Sequence, residues 1–79
     1  MAFYILLNKS SETGDYVDYE FGEKEENVGC LRLDKKTGEV TELRELELDE
    51  SGAVFIRARW KVLQHFRAGE FPDRSCWAS

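Results

Sequence analysis

The hydrophobic period of this chain changes once, near residue 52, and its charge changes sign at the same point. Residues 1–52 carry 14 acidic side chains against 6 basic ones, a net of −8; residues 53–79 carry 5 bases against 2 acids, a net of +3; the whole chain is therefore −5. Upstream the apolar residues alternate, as on strands, and downstream they recur at helical spacing. A length of 79 residues sets the expectation of one domain over residues 1–79. So short a chain buries well under about 70% of its unfolded surface, so its core is thin. Ten aromatic residues offset this, since each buries roughly 150–250 Å².

Four strand candidates precede residue 49. Residues 2–8 (AFYILLN) place Phe3, Ile5 and Leu7 on one face and Tyr4 and Leu6 on the other, so both faces are apolar. Residues 9–14 (KSSETG) have turn composition. Residues 15–21 (DYVDYEF) alternate, with Val17, Tyr19 and Phe21 facing one way and Tyr16, Asp18 and Glu20 the other. After the acidic turn at 22–27, residues 28–34 (VGCLRLD) put Leu31 and Leu33 inward and Cys30 and Arg32 outward. The loop Lys35-Lys36-Thr37-Gly38 suits a hairpin: Asp34 can bond the backbone ahead of it, and Gly38 can take a positive φ. The return strand, 39–48, breaks parity at Leu43, which predicts a bulge near Glu42–Arg44.

Residues 53–68 (AVFIRARWKVLQHFRA) read as one helix. Phe55, Ile56, Val62, Leu63 and Phe66 form its apolar stripe, and Arg57, Lys61, Gln64 and His65 its polar side. Asp49 or Ser51 is the candidate N-cap, and Gly69 followed by Pro72 marks the stop. Arg59 falls inside the stripe, which argues against this reading. In the alternative, residues 53–59 form a fifth strand paired with 45–48, and only 60–68 are helical. The long helix is preferred because a meander with an apolar inner face needs a substantial cover. The tail, residues 70–79, has no periodicity, but Phe71 and Trp77 are expected to fold back and cap one edge of the core. The expected fold is therefore α+β: a four-stranded antiparallel meander with one C-terminal helix on one face, or, as the alternative, five strands with a short helix.

The chemistry-bearing residues are sparse. His65 is the only histidine, and neither Cys30 nor Cys76 sits in a C-x-x-C or comparable signature. No glycine-rich phosphate loop occurs. Three Cys and His residues far apart do not make a zinc site, and the acidic turn 23–26 lacks the calcium-loop pattern. The reading is a non-enzyme without metal, cofactor or small-molecule substrate. The apolar run 2–7 is far shorter than the roughly 20 residues of a membrane span, and it lacks the basic flank of a signal peptide. These features set the expectation of a cytoplasmic protein with free thiols.

Two surfaces compete as binding sites. The sheet face opposite the helix would present Tyr4, Leu6, Tyr16 and Cys30, with Leu43 beside them and Asp15, Asp18, Glu20 and Glu42 at the rim. An apolar patch of that kind marks a partner site, unless the tail covers it. The helix would present a basic patch of Arg57, Lys61, His65 and Arg67, the basis of an alternative nucleic-acid-binding reading. An isoelectric point near 4.8 disfavours that alternative. The leading expectation is a small acidic protein-interaction module of the inhibitor, immunity or accessory type. It acts on a protein partner, basic by charge complementarity, or on a second copy of itself.

Overall fold

The computed structural model describes residues 3–49 and 51–78. Its elements run β1 (Tyr4–Glu12), β2 (Tyr16–Lys24), β3 (Asn27–Asp34), β4 (Val40–Arg44), α1 (Ala53–Ala68) and β5 (Arg74–Ala78). The strands form one antiparallel sheet in the order β4-β3-β2-β1-β5, with α1 packed on one face. The architecture is thus the expected α+β meander. The long helix of the leading reading and the strand count of the alternative occur together. The fifth strand comes from the tail, not from residues 53–59, which are helical.

Alternation carries the first three strands to their places. Ile5, Leu7, Val17, Tyr19, Phe21, Leu31 and Leu33 all face the helix and are buried to within 1%, each burial contributing roughly 1.5–3 kcal/mol. β1 runs further than residue 8, because pairing resumes past a bulge between Lys9 and Ser11 and continues to Glu12 opposite Val17. The turn expected over 9–14 shrinks to its last residues, where Thr13 Oγ1 accepts the N–H groups of Asp15 and Tyr16. Ala2, placed in the first strand by its sequence, lies outside the described residues.

The β3–β4 loop forms as its composition dictates. The N–H groups of Lys36 and Thr37 donate to Asp34 Oδ1, and Gly38 sits at φ 77°. A Cβ there would lie 2.9 Å from Phe66 Cε2, so the glycine also lets the helix close down on the loop. The expected bulge is present: Cys30 pairs with Arg44 and Leu31 with Glu42, leaving Leu43 extra. β4 ends at Arg44, not at Leu48. Beyond it the chain turns, Leu46 enters the core at 8% exposure, and Asn27 Nδ2 holds the loop through the Glu47 carbonyl.

Helix α1 is closed at both ends. Gly52 stands at the N-cap in the left-handed region and supplies no side-chain cap. Asp49 takes that role from outside: its two carboxylate oxygens accept the N–H groups of Val54 and Phe55. The Gly69 and Glu70 N–H groups return to the Phe66 and His65 carbonyls, a Schellman closure with Gly69 at φ 74°.

The buried line of the helix is Val54, Ala58 and Val62, not the stripe read from the larger side chains. Small residues let the helix axis approach the sheet, while Phe55, Leu63 and Phe66 wrap its flank. The helix is thereby turned by roughly a quarter turn from the expected orientation. Arg59 comes to rest exposed, which removes the objection to the helix, and Ile56 is left 39% exposed.

The tail folds back as expected, and it does so as a strand. β5 pairs with β1 from Tyr4–Ala78 to Asn8–Arg74. Trp77 and Phe71 pack against the core, and Trp77 meets Trp60 at 5.6 Å between ring centroids. The Tyr19 hydroxyl donates to the Pro72 carbonyl at 2.6 Å, and burial pushes this phenol up to about 12.

Candidate functional site

The sheet face away from the helix is the surface that the sequence nominates. Strand pairing sets its rows. Tyr4 lies beside Ala78; Leu6 lies between Cys76 and Gly22; Asn8 lies between Arg74 and Glu20, with Cys30 and Arg44 continuing the row. Asp18 and Arg32 form the next row, with Thr41, and Tyr16 and Asp34 the last. The tail does not cross this face: Phe71 and Trp77 belong to the core on the helix side.

The face is less apolar than expected. Tyr4 is 57% exposed, and Leu6, Tyr16, Glu20 and Cys30 are half-buried. Arg32 dominates the centre. Its guanidinium lies 3.9 Å from the Tyr16 ring centroid and grips Asp18 with two hydrogen bonds of 2.8 and 3.0 Å. Asp18, expected at an exposed rim, is 7% exposed under that grip. Glu20 faces Arg44 at 3.5 Å, and Asp15 faces Lys36 at 3.5 Å. Glu42 is not on this rim, because pairing with Leu31 beside the bulge puts it on the helix side. The result is an apolar end (Tyr4, Leu6, Cys76, Ala78) merging into a row of paired charges. Tyrosine and arginine are the side chains that interfaces favour.

Cys30 and Cys76 are free. Three inter-strand spacings separate their strands, roughly 14 Å, beyond the ~7 Å limit of a disulfide. Burial first, then Asp18, pushes the Cys30 thiol up, which makes it a poor nucleophile at neutral pH.

The basic residues of the helix do not gather. Arg57 donates to the Ala53 carbonyl and stacks 4.0 Å from the Phe3 ring centroid. His65, assigned to the polar side by its spacing, faces β5 and lies 2.7 Å from Ser75 Oγ. Burial, then the neighbouring Lys61, lowers its pKa. Lys61 is half-buried, while Arg67 is exposed on the outer side of the helix. The quarter turn that buries Val54, Ala58 and Val62 also turns His65 toward β5 and leaves Arg67 exposed.

One feature escaped the sequence reading. The loop after β4 puts Leu48 at φ 67° and 92% exposure, among Glu45, Glu47 and Asp49. These residues, with Glu42 and Leu46, line a hollow of about 620 Å³ at the N-terminal end of the helix. Glu23 borders a smaller one beside it; it lies in β2, which runs on to Lys24 and shortens the acidic turn expected over 22–27 to Glu25 and Glu26. Burial, then Glu45 and Asp49, raises the Glu42 pKa. The acidic residues Glu42, Glu45, Glu47 and Asp49 announce the charge of this hollow, but nothing local announces the outward leucine. Among the described residues, no three His, Cys, Asp or Glu side chains are grouped to hold a metal ion, and no helix is long and apolar enough to cross a membrane.

No protein-family model matches this chain, nor does any curated protein or solved structure.

Proposed function

We propose that the chain is a non-catalytic protein-interaction module that binds a basic protein through the outer face of its sheet. The observation that carries this reading is the face itself. It is uncovered by the described chain, carries Tyr4 at 57% exposure beside Leu6, and is braced by the Arg32–Asp18 clamp. Ordering Arg32 in the free protein reduces the side-chain entropy lost on binding. The acidic loop 45–49, with Glu23 in β2 and Glu25 and Glu26 of the following turn, supplies a negative field that speeds encounter with a basic partner without adding much affinity.

Affinity capture tests this with two folded proteins, the wild type and the Tyr4→Ala/Leu6→Ala variant. The wild type is expected to retain a basic protein that the variant loses. Retention by both, or capture of acidic proteins alone, overturns the reading. For the captured partner, association should slow with added salt while dissociation stays constant. Short RNA and DNA are expected to show no anisotropy change at about 50 mM salt, since the helix cations are dispersed.

A further inference from the structure

The two edges of the sheet differ in how they are guarded. Proteins blunt an edge strand with bulges and charges, because its free N–H and C=O groups invite another strand. β4 has both devices: the bulge at Leu43 and Glu39, Glu42 and Glu45 along or beside it. β5 has neither. Its register on β1 is unbroken, and after Arg74 it reads Ser-Cys-Trp-Ala, with no charge and no proline. No strand lies on its other side among the described residues.

The free groups of β5 can be assigned. Lys9 N–H donates to the Asp73 carbonyl, so residues 73, 75 and 77 turn their backbone toward β1, and Arg74, Cys76 and Ala78 turn theirs outward. A shallow groove of about 280 Å³ runs along this edge between Cys76, Trp77 and Ala78 and the helix residues Lys61 and Gln64. Exposed aromatic surface flanks it on both sides of the sheet: Trp60 at 44% on the helix side and Tyr4 at 57% on the outer face.

We propose that the occupant is β5 of a second copy of this chain, paired antiparallel about a two-fold axis at Cys76, so that two sheets join into one. The five residues are self-complementary in that register. On the outer face Arg74 falls opposite Ala78 of the second copy, and on the helix side Trp77 falls opposite Ser75 of the second copy. Each large side chain therefore meets a small one. The outward groups of Arg74, Cys76 and Ala78 then find partners in roughly six hydrogen bonds. Charge permits the approach as far as the acidic loop 45–49 is concerned, because that loop follows β4, the strand at the opposite edge of the sheet from β5. The pairing is made by the backbone of the edge, whereas the function proposed above is tested at Tyr4 and Leu6, so the two can fail separately.

The two Cys76 residues form a hydrogen-bonded cross-strand pair, whose Cα atoms lie about 5.5 Å apart, within the range a disulfide spans. Diamide, accepting two electrons and two protons as the S–S bond forms, should therefore crosslink the wild type and Cys30→Ser into a covalent dimer, and leave Cys76→Ser monomeric on a non-reducing gel. Without oxidant, sedimentation should give a dimer for the wild type. Cys76→Lys should be monomeric with an unchanged circular dichroism spectrum, since its two lysines would oppose each other. Mixing Cys76→Lys with Cys76→Glu should restore the dimer. A wild type that sediments as a monomer at about 500 µM, or a dimer that survives Cys76→Lys, overturns the proposal. So does crosslinking that depends on Cys30.

Discussion

Leu48 holds the conformation its side chain least favours. The left-handed region costs a residue with a Cβ roughly 1–2 kcal/mol, and at 92% exposure the leucine recovers almost nothing by burial. Leu48→Gly is expected to stabilise the protein by about 0.5–1 kcal/mol, the relief of strain being offset in part by the freer unfolded chain. A urea midpoint that fails to rise would refute this. Two titrating side chains act in opposite senses. The folded pKa of His65 lies below its ordinary 6.5, so the unfolded chain binds the extra proton and stability falls as pH drops through the window just below 6.5. His65→Gln should flatten the urea-midpoint profile between about pH 7 and pH 5. The folded pKa of Glu42 lies above 4.5, so its effect is a loss of stability as pH rises through the window just above 4.5. Glu42→Gln should therefore raise the midpoint at neutral pH and leave it little changed at strongly acidic pH.

The helix as an element depends on two choices that the backbone makes for it. Its first N–H groups are held by Asp49, three residues before the N-cap glycine, so Asp49→Ala should cost about 1–2 kcal/mol. Ser51→Ala should change stability by less than about 0.5 kcal/mol. Its rotation is set by the small residues of the buried line. Val62→Ala should cost about 2 kcal/mol, whereas Ile56→Ala, on the half-exposed side, should cost about 0.5 kcal/mol. Equal losses at the two positions would place the helix in the orientation read from its larger side chains. Element scale is also where legibility ended for the tail. Arg74 and Cys76 alternate with Ser75 and Trp77, but four residues of mixed polarity after Pro72 carry too little pattern to mark a strand. Only the open edge of β1 makes them one.

At the scale of the whole molecule, the net charge of −5 is unevenly distributed. Glu23 at the end of β2 and the loop 45–49, far apart in sequence, border one hollow near the N-terminal end of the helix, which concentrates acidic side chains there. Thermal stability is therefore expected to rise with added salt, most steeply below about 0.15 M. Glu47→Gln should reduce that slope, and a midpoint independent of salt would count against this distribution. The same field would draw in a basic partner, so the feature that strains the fold also serves the proposed encounter. The opposite ends of the chain are tied by Lys9, which reaches Glu12, Asp73 and the Phe71 carbonyl, and by the Tyr19–Pro72 bond.

Local chemistry alone determined the alternating strands, the Asp34–Gly38 loop, the bulge after Glu42 and the extent of the helix. Each of these depends on neighbours within a few residues, whose periods and turn preferences act before any tertiary contact exists. The tertiary structure decided which side of the helix is buried, that Arg32 covers Tyr16 and sinks Asp18, that Leu48 points outward, and that the tail completes the sheet. Those outcomes depend on groups that sequence spacing does not bring together: a guanidinium and a carboxylate 14 residues apart, a phenol and a carbonyl 53 apart. Packing then selects among faces that amphipathic pattern leaves nearly equal, and here close approach of helix to sheet favoured small side chains over large ones.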